Sequence, residues 1–524
     1  MTVWLLGDQL NRDAAPLQSA DHVLMIEAHG FAGRLPYHPQ KLTLVFSAMR
    51  HLRDELREDG YEVTYIEAES FAAGLDRYFE ANPGDALLIQ RPASHGAGER
   101  LRELVEERGG DCTLVANDGF LTTPADWDEW VGSSDGSAAP GDGGGGTYRQ
   151  EHWYRHVRRE TGILLDDEGD PVGGEWNYDD RNRETPPEGW SPPDVPEFEP
   201  DAITREVHAF VVERYDDHWG SADLADFVWP VTREEALHAL EQFVEVRLPE
   251  FGPYQDAMVE GEWALDHSLL SPAINLGLLH PREVVEAVVD TYHDGNDDSD
   301  DSDGGAPEIP LNSVEGFVRQ VIGWREFMRH VYRESMPAMD EANQLDQTEP
   351  LPEAYWTGDS DMVCLSEAVG HVRDRGYAHH IERLMVLSNF ALVYGADPHE
   401  LNRWFHLGFI DAFHWVTTPN VVGMGSFATD ALSSKPYASS ANYVNEMSDY
   451  CASCPYYHTK TTGEGSCPFN ALYWDFLKRN ETVLRGTGRM GLMYSHVDGK
   501  DDNEWAAIEE RAAEIRELAE NGAL

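Results

Sequence analysis

Lysine is almost missing from this chain: Lys41, Lys435, Lys460, Lys478 and Lys500 are the only five in 524 residues, so arginine carries nearly all the positive charge. Acidic residues outnumber basic ones 96 to 39, a formal net charge of −57. Such an excess ordinarily argues against a nucleic-acid partner, because phosphates gather on positive surfaces. Here the acid is spread along the whole chain, as on a halophile's surface. At about 1 M salt the Debye length shrinks to about 3 Å, and a local arginine cluster can still meet phosphate. Long apolar runs are absent too. No stretch reaches about 18 apolar residues, and Met1-Thr2-Val3-Trp4 opens no basic segment leading into an apolar one, so no membrane contact is expected and the chain reads as cytoplasmic. In that compartment the five cysteines do not suggest a disulfide framework. A dinucleotide fingerprint is lacking: Gly7-Asp8-Gln9-Leu10 follows the first apolar run without the glycine spacing that lets backbone approach a pyrophosphate.

What is present falls into two kinds of pattern. From Val3 to Val115, short apolar runs (Val3–Leu6, Val23–Ile26, Val63–Ile66, Ala86–Ile89, Thr113–Val115) alternate with amphipathic stretches, as in a parallel sheet covered by helices. Leu42, Val45, Phe46, Met49, Leu52 and Leu56 form the best helical stripe. Gly132–Gly146 reads as a flexible linker and Asp294–Gly305 as a disordered acidic loop. Beyond Gln150 the pattern is mainly helical. The expected organisation is an α/β domain with a Rossmann-like parallel sheet over 1–130, a flexible and interdomain segment over 131–200, a larger all-α domain over 201–500, and a C-terminal helix over 501–524.

Cys451, Cys454 and Cys467 sit close together and need a fourth ligand, for which Cys364, on a predicted helix, is the nearest candidate; Cys112 reads as a buried hydrophobe. Four thiolates suit either a tetrahedral zinc or an iron-sulfur cluster, and spacing alone does not choose. His379 and His380 fall in an amphipathic stretch, Tyr377–Tyr394, read as one helix; neighbours on a helix diverge, so they are no chelating pair. One reads as structural, while the other, if it faces a cavity, can act as a general acid. Arg149, Arg155, Arg158 and Arg159, interleaved with Tyr148, His152, Trp153 and Tyr154, form either a solvated helix face or a DNA-phosphate contact. Aromatics crowd the C-terminal half, and composition does not separate redox-active tryptophans from packing ones.

Several motifs together resemble one family, the iron-sulfur photolyases and cryptochromes of bacteria and archaea, including the prokaryotic (6-4) photolyases and photolyase-related proteins. They are Trp4–Leu10, Gly173–Asp179 with Asn182-Arg183, Ser268-Leu269-Leu270-Ser271-Pro272, Gly323–Phe327, Tyr377–His380 and Cys451 through Trp474, and they span nearly the whole chain. The resemblance implies an antenna domain joined to a helical FAD domain, a 4Fe-4S cluster on Cys364, Cys451, Cys454 and Cys467, and UV-damaged DNA as partner, with the protein a monomer. It implies flavin phosphates at Ser268 and Ser271 with Leu270 between them, further cofactor contacts at Trp324 and Arg325, and an Arg383–Asp411 pair beside the isoalloxazine. Trp404 and Trp356 match an electron relay; Phe405 stands where relatives often carry Tyr, and Thr417 where they commonly carry Glu. His380 matches the histidine implicated in protonating (6-4) lesions, with His379 as its support and Gln320 against the lesion bases. A ribityl lumazine antenna is implied near Asp8, Glu27, Tyr37, His38 and Lys41. The implied activity is light-driven repair of (6-4) photoproducts. A cryptochrome-like light sensor and a zinc-stabilised DNA-binding module stand as alternatives.

Overall fold

The computed structural model describes residues 1–133, 147–187, 189–297, 309–487 and 489–524. Residues 134–146 of the expected linker and 298–305 of the expected acidic loop lie outside them. The start of that loop is not loop: the helix Pro281–Asp297 runs through Asp294.

The five apolar runs form β1 (Thr2–Leu5), β2 (His22–Ala28), β3 (Glu62–Ala68), β4 (Ala86–Gln90) and β5 (Asp111–Val115), all parallel in the order β3-β2-β1-β4-β5. Residues alternate between the faces with the strand period of two. Val3, Leu5, Val23 and Met25 meet the helix Pro39–Glu58 on one side; Trp4, Leu6, Leu24 and Ile26 meet the helices Phe71–Ala81 and Ala97–Glu106 on the other. Burial on both faces explains why the central strands read as unbroken apolar runs. Strand order reverses between β1 and β4, and Asp8 follows the end of β1 at this switch point, where open α/β sheets take ligands.

Among the described residues, this half and the helical remainder share a core. The core on the β1 Val3 side continues through Trp127, Trp153, Phe243, Leu276 and Phe317. Residues 147–200 include the helix Gln150–Thr161, whose Trp153 and Tyr154 are fully buried. At the seam, Leu10 N–H donates to the Leu276 carbonyl at 2.8 Å. Gly277 follows with φ +87°, and a side chain there would press on the Leu10 and Asn11 amides at 3.1 Å. A second core gathers Tyr355, Leu365, Trp404, Phe469 and Ile515, so the C-terminal helix Asp502–Glu520 packs as part of the helical body. Among the described residues no helix is long and apolar enough to cross a membrane.

Candidate flavin and cysteine sites

The helix expected over Tyr377–Tyr394 begins only at His380. Gly376, left-handed at φ 64°, ends the preceding helix Val363–Arg375, and Tyr377–His379 run as irregular chain before the new helix, which includes a π-helical turn at Glu382–Ser388. This break separates the two histidines. His379 is fully buried, stacked on His267 with ring centroids 4.7 Å apart and planes 7° apart. His380 is 38% exposed, edge-on to His267 at 5.2 Å, with Nε2 3.4 Å from Asp256 Oδ1. His267, missed in the sequence, is therefore the hub of a three-histidine cluster. Its only sequence signal is adjacency to Ser268.

The cluster holds polar atoms without hydrogen bonds, although His379 Nε2 lies 3.5 Å from the buried Glu382 carboxylate. Both ring nitrogens of His379, Nε2 of His267 and both carboxyl oxygens of Asp266 are buried and lack hydrogen bonds among the described residues. Burial pushes Asp266 up to about 7, with Glu250 adding to the rise and Arg247 opposing it. Burial holds His267 and His379 well below the ordinary histidine range, each lowered further by its neighbours.

Directly after His267, the chain turns through Leu269 at φ +59° into the short helix Ser271–Leu276, whose start has no side-chain cap. Ser271 Oγ donates to Asp411 Oδ2 at 2.6 Å, and Arg383 donates to both Asp411 oxygens at 3.0 Å. Burial raises Asp411, but Arg383 and Ser271 outweigh it and hold the carboxylate below its usual range. Arg325, reaching Asn275 Oδ1 at 3.3 Å, lies over Phe120 and Trp415. Burial lowers Arg325 and brings nearby Arg329 down to about 10. Arg325 also pairs with the buried Glu326 at 3.0 Å. Two cations anchored in this way, Arg325 and Arg383, beside polar atoms without hydrogen bonds and an uncapped turn, fit an anionic ligand with many hydrogen-bonding groups, as FAD is. Ser268, Leu270, Ser271, Arg325, Arg383 and Asp411 thus converge on one region.

Gln320 and Trp324 share the π-helical stretch Arg319–Arg325. Trp324 lines a groove of about 570 Å³ with Tyr148, Arg149, His152, Tyr437 and Arg489. Asp179 pairs with Arg183 at 2.5 Å, and Arg183 reaches Asp256 at 3.6 Å, so a polar chain runs from Asp179 to His380.

The arginine run divides. Arg149 faces the groove, but Arg158 is 1% exposed and donates to the Ile163, Leu164 and Trp176 carbonyls. Arg155 and Arg159 lie against the Trp176 ring, and Arg155 pairs with Glu151 at 2.6 Å. As a phosphate contact, Arg158 is corrected: a buried guanidinium spent on three carbonyls is a structural clamp.

Of the expected antenna residues, Glu27 is fully buried and takes hydrogen bonds from Arg50, His29 and Tyr65. Tyr37, His38 and Lys41 bind the helical half instead: Tyr37 pairs with His406, His38 meets the Arg373 carbonyl at 2.9 Å, and Lys41 donates to the His406 and Ala412 carbonyls at 2.7 and 2.6 Å. Burial lifts Asp8 to about 6.

Cys364, Cys451, Cys454 and Cys467 line one small pocket with Met362, Tyr450, Tyr456 and Phe469, while Cys112 stands apart on β5. Burial, reinforced by neighbouring thiols, raises Cys451 to about 11; Cys467 is raised to about 12. Four thiols gathered in an apolar wall suit a cation that takes their protons' place.

The architecture is that of photolyases and cryptochromes. Three solved structures share it: a class III photolyase from Agrobacterium tumefaciens (TM-score 0.53, 17% identity, 85% of this chain and 86% of that one), a Synechocystis cryptochrome (0.52, 14%, 85% and 88%) and an archaeal photolyase from Sulfolobus tokodaii (0.50, 14%, 99% and 100%). At the level of sequence, the model for deoxyribodipyrimidine photo-lyase-related proteins matches residues 3–229, and a (6-4) photolyase of Agrobacterium fabrum is 37% identical over 94% of both chains. The chain belongs to the photolyase family, among these photolyase-related proteins.

Proposed function

We propose that this photolyase repairs (6-4) photoproducts in UV-damaged DNA, with His380 donating the proton, and that it carries a 4Fe-4S cluster on its four clustered cysteines. As a member of the family it is a light-dependent DNA repair lyase that uses FAD. The observation that carries the lesion assignment is the cluster of His267, His379 and His380 set beside the Ser268–Ser271 turn and the Arg383–Asp411 pair.

Bound and reduced, FAD supplies a light-activated electron. The chain does the rest. A lesion flipped from the duplex, at a cost lowered by its poor stacking, enters the groove beside Trp324, with Arg149 and Arg489 near its phosphates and Gln320 on the same π-helical stretch as Trp324. His380, the exposed member of the trio, presents a ring nitrogen to the lesion while Asp256 orients the ring. His379, kept neutral by burial, buttresses His267 and adds no competing charge.

The test is repair of (6-4)-containing DNA by reduced holoprotein under blue light in high salt. Restoration of the bases that depends on light is expected; its absence from flavin-loaded protein overturns the repair reading in favour of the sensor.

One geometric observation favours a cluster over a single zinc. Tetrahedral zinc with bonds of about 2.3 Å holds its sulfurs about 3.8 Å apart. Among the described residues, no three of these sulfurs lie within 4.8 Å of one another, a wider spacing than a single zinc sets. Iron with acid-labile sulfide is the expected analysis, and zinc without iron the contrary one. An antenna chromophore is assigned to the β1/β4 crevice at Asp8, a site that excludes Tyr37, His38 and Lys41 because those side chains are engaged at the seam.

A further inference from the structure

We propose that Trp219 is redox-active and forms the middle of an electron path from surface Trp356 through Trp219 to buried Trp404, by which the flavin is photoreduced. The proposal rests on the flavin reading above and adds a residue that the matched motifs do not contain.

Trp404 is fully buried one ring behind the flavin-side ion pair: its indole meets Phe409 at 5.8 Å, and Phe409 lies under the Arg383 guanidinium at 4.4 Å. Three further rings touch Trp404. Phe405, 5.3 Å away, stacks on Phe409 and has no oxidisable group. Tyr355, at 5.2 Å, is fully buried, and its hydroxyl is held by the Leu387 carbonyl, so its proton has no outlet. Trp219, at 5.7 Å and 64°, is the ring that leads outward, meeting Trp356 at 6.3 Å and 88°. Trp356 is 38% exposed. The sequence of rings therefore runs from the flavin pair to solvent.

Trp219 is also held in place. Its Nε1 donates to the Trp356 carbonyl at 2.9 Å, and its backbone N–H donates to Pro36 at 3.1 Å. Its ring fits against Gly408, on the same helix as Trp404, where an added Cβ would lie 3.0 Å from the indole. A fixed ring needs little reorganisation when its charge changes, which favours transfer through it.

The electrons balance as follows. Trp404 gives one electron to the excited flavin, Trp219 refills Trp404, and Trp356 refills Trp219. Oxidised Trp356 releases its indole proton to water and is restored by an electron and a proton from a thiol-class reductant in solution. Two rounds supply the two electrons of full reduction, and the one proton the reduced flavin gains comes from water.

The experiment uses full-length, FAD-loaded, oxidised protein in high salt with dithiothreitol as reductant, reading transient absorption of tryptophan radicals after a blue flash and the rate of steady photoreduction. Trp219→Phe is expected to abolish the long-lived radical and slow photoreduction about tenfold or more, while reduction by dithionite in the dark stays complete. Trp219→Tyr, similar in packing and oxidisable, is expected to restore much of the rate. A Trp219→Phe protein that keeps wild-type radical lifetime and rate overturns the proposal, as does equal slowing in both variants, which marks a packing role. Trp404→Phe separates the levels: if it too leaves photoreduction intact, the relay itself is wrong, whereas a crippled Trp404→Phe beside an intact Trp219→Phe removes Trp219 alone. Should Trp219→Phe not retain flavin, Trp219→Tyr must still photoreduce and Trp356→Phe must lose the long-lived radical, and failure of either overturns the path.

Discussion

Two buried polar clusters sit in the two halves of this protein, and they are built on opposite terms. In the α/β half, Glu27 is surrounded by donors: Arg50 on both oxygens, His29 at 2.9 Å and the Tyr65 hydroxyl. Burial alone would raise its pKa, yet these partners bring it down to about 2. In the helical half, Asp266, His267 and His379 are buried with atoms left unpaired, and Asp266 goes up to about 7. A saturated cluster is an internal joint. A cluster whose buried polar atoms lack hydrogen bonds within the protein costs stability unless something binds there, which is the usual signature of a site.

The largest effect expected from this contrast is on activity. His380→Ala should lower (6-4) repair by about 10²- to 10⁴-fold, the range for loss of a general acid, while the flavin spectrum is retained; repair assays at matched flavin content measure it. Next comes stability of the joint. Glu27→Ala leaves Arg50 buried without its main partner and should cost about 3–5 kcal/mol in denaturant unfolding at high salt. In wild-type protein the Glu27 contribution is present above its unfolded value of 4.5 and is lost as pH falls toward about 2, so stability should drop across that acidic window.

Asp266→Asn should have the smallest effect and the opposite sign. Because the folded carboxyl titrates near 7 against 3.8 unfolded, flavin-free wild-type protein loses stability as pH rises through that interval; the amide removes this slope. Melting curves of the flavin-free variant should therefore match or exceed wild type above neutral pH. A loss as large as that of Glu27→Ala would erase the distinction between joint and site.

Much of the frame was legible beforehand because its signals are periodic or chemically rare. Alternating apolar runs gave the parallel sheet, and Cys364, the nearest candidate for a fourth ligand, lines one pocket with Cys451, Cys454 and Cys467. The failures were local. Tyr377–Tyr394 has helical periodicity throughout, but Gly376 and the irregular run after it delay the helix to His380. Arg158 looked like its surface neighbours until the 163–176 loop folded over it and took its hydrogens. His267 and Trp219 belong to no periodic pattern. The histidines that His267 meets are 112 and 113 residues away in the chain, and the tryptophans that Trp219 meets are 137 and 185 away, so only the folded chain gives them a role.

The seam between the halves carries a consequence for a protein so heavily charged. Lys41 comes from the α/β half, its burial brings its pKa down to about 7, and it reaches two backbone carbonyls of the other half. A neutral amine has two N–H groups, one for each carbonyl, so the contact persists when the lysine gives up its proton. Surface ion pairs weaken as salt screens them; a neutral amine on peptide carbonyls is little affected. The Lys41 contact between the two halves is thus expected to vary far less with salt than the ion pairs on the surface do.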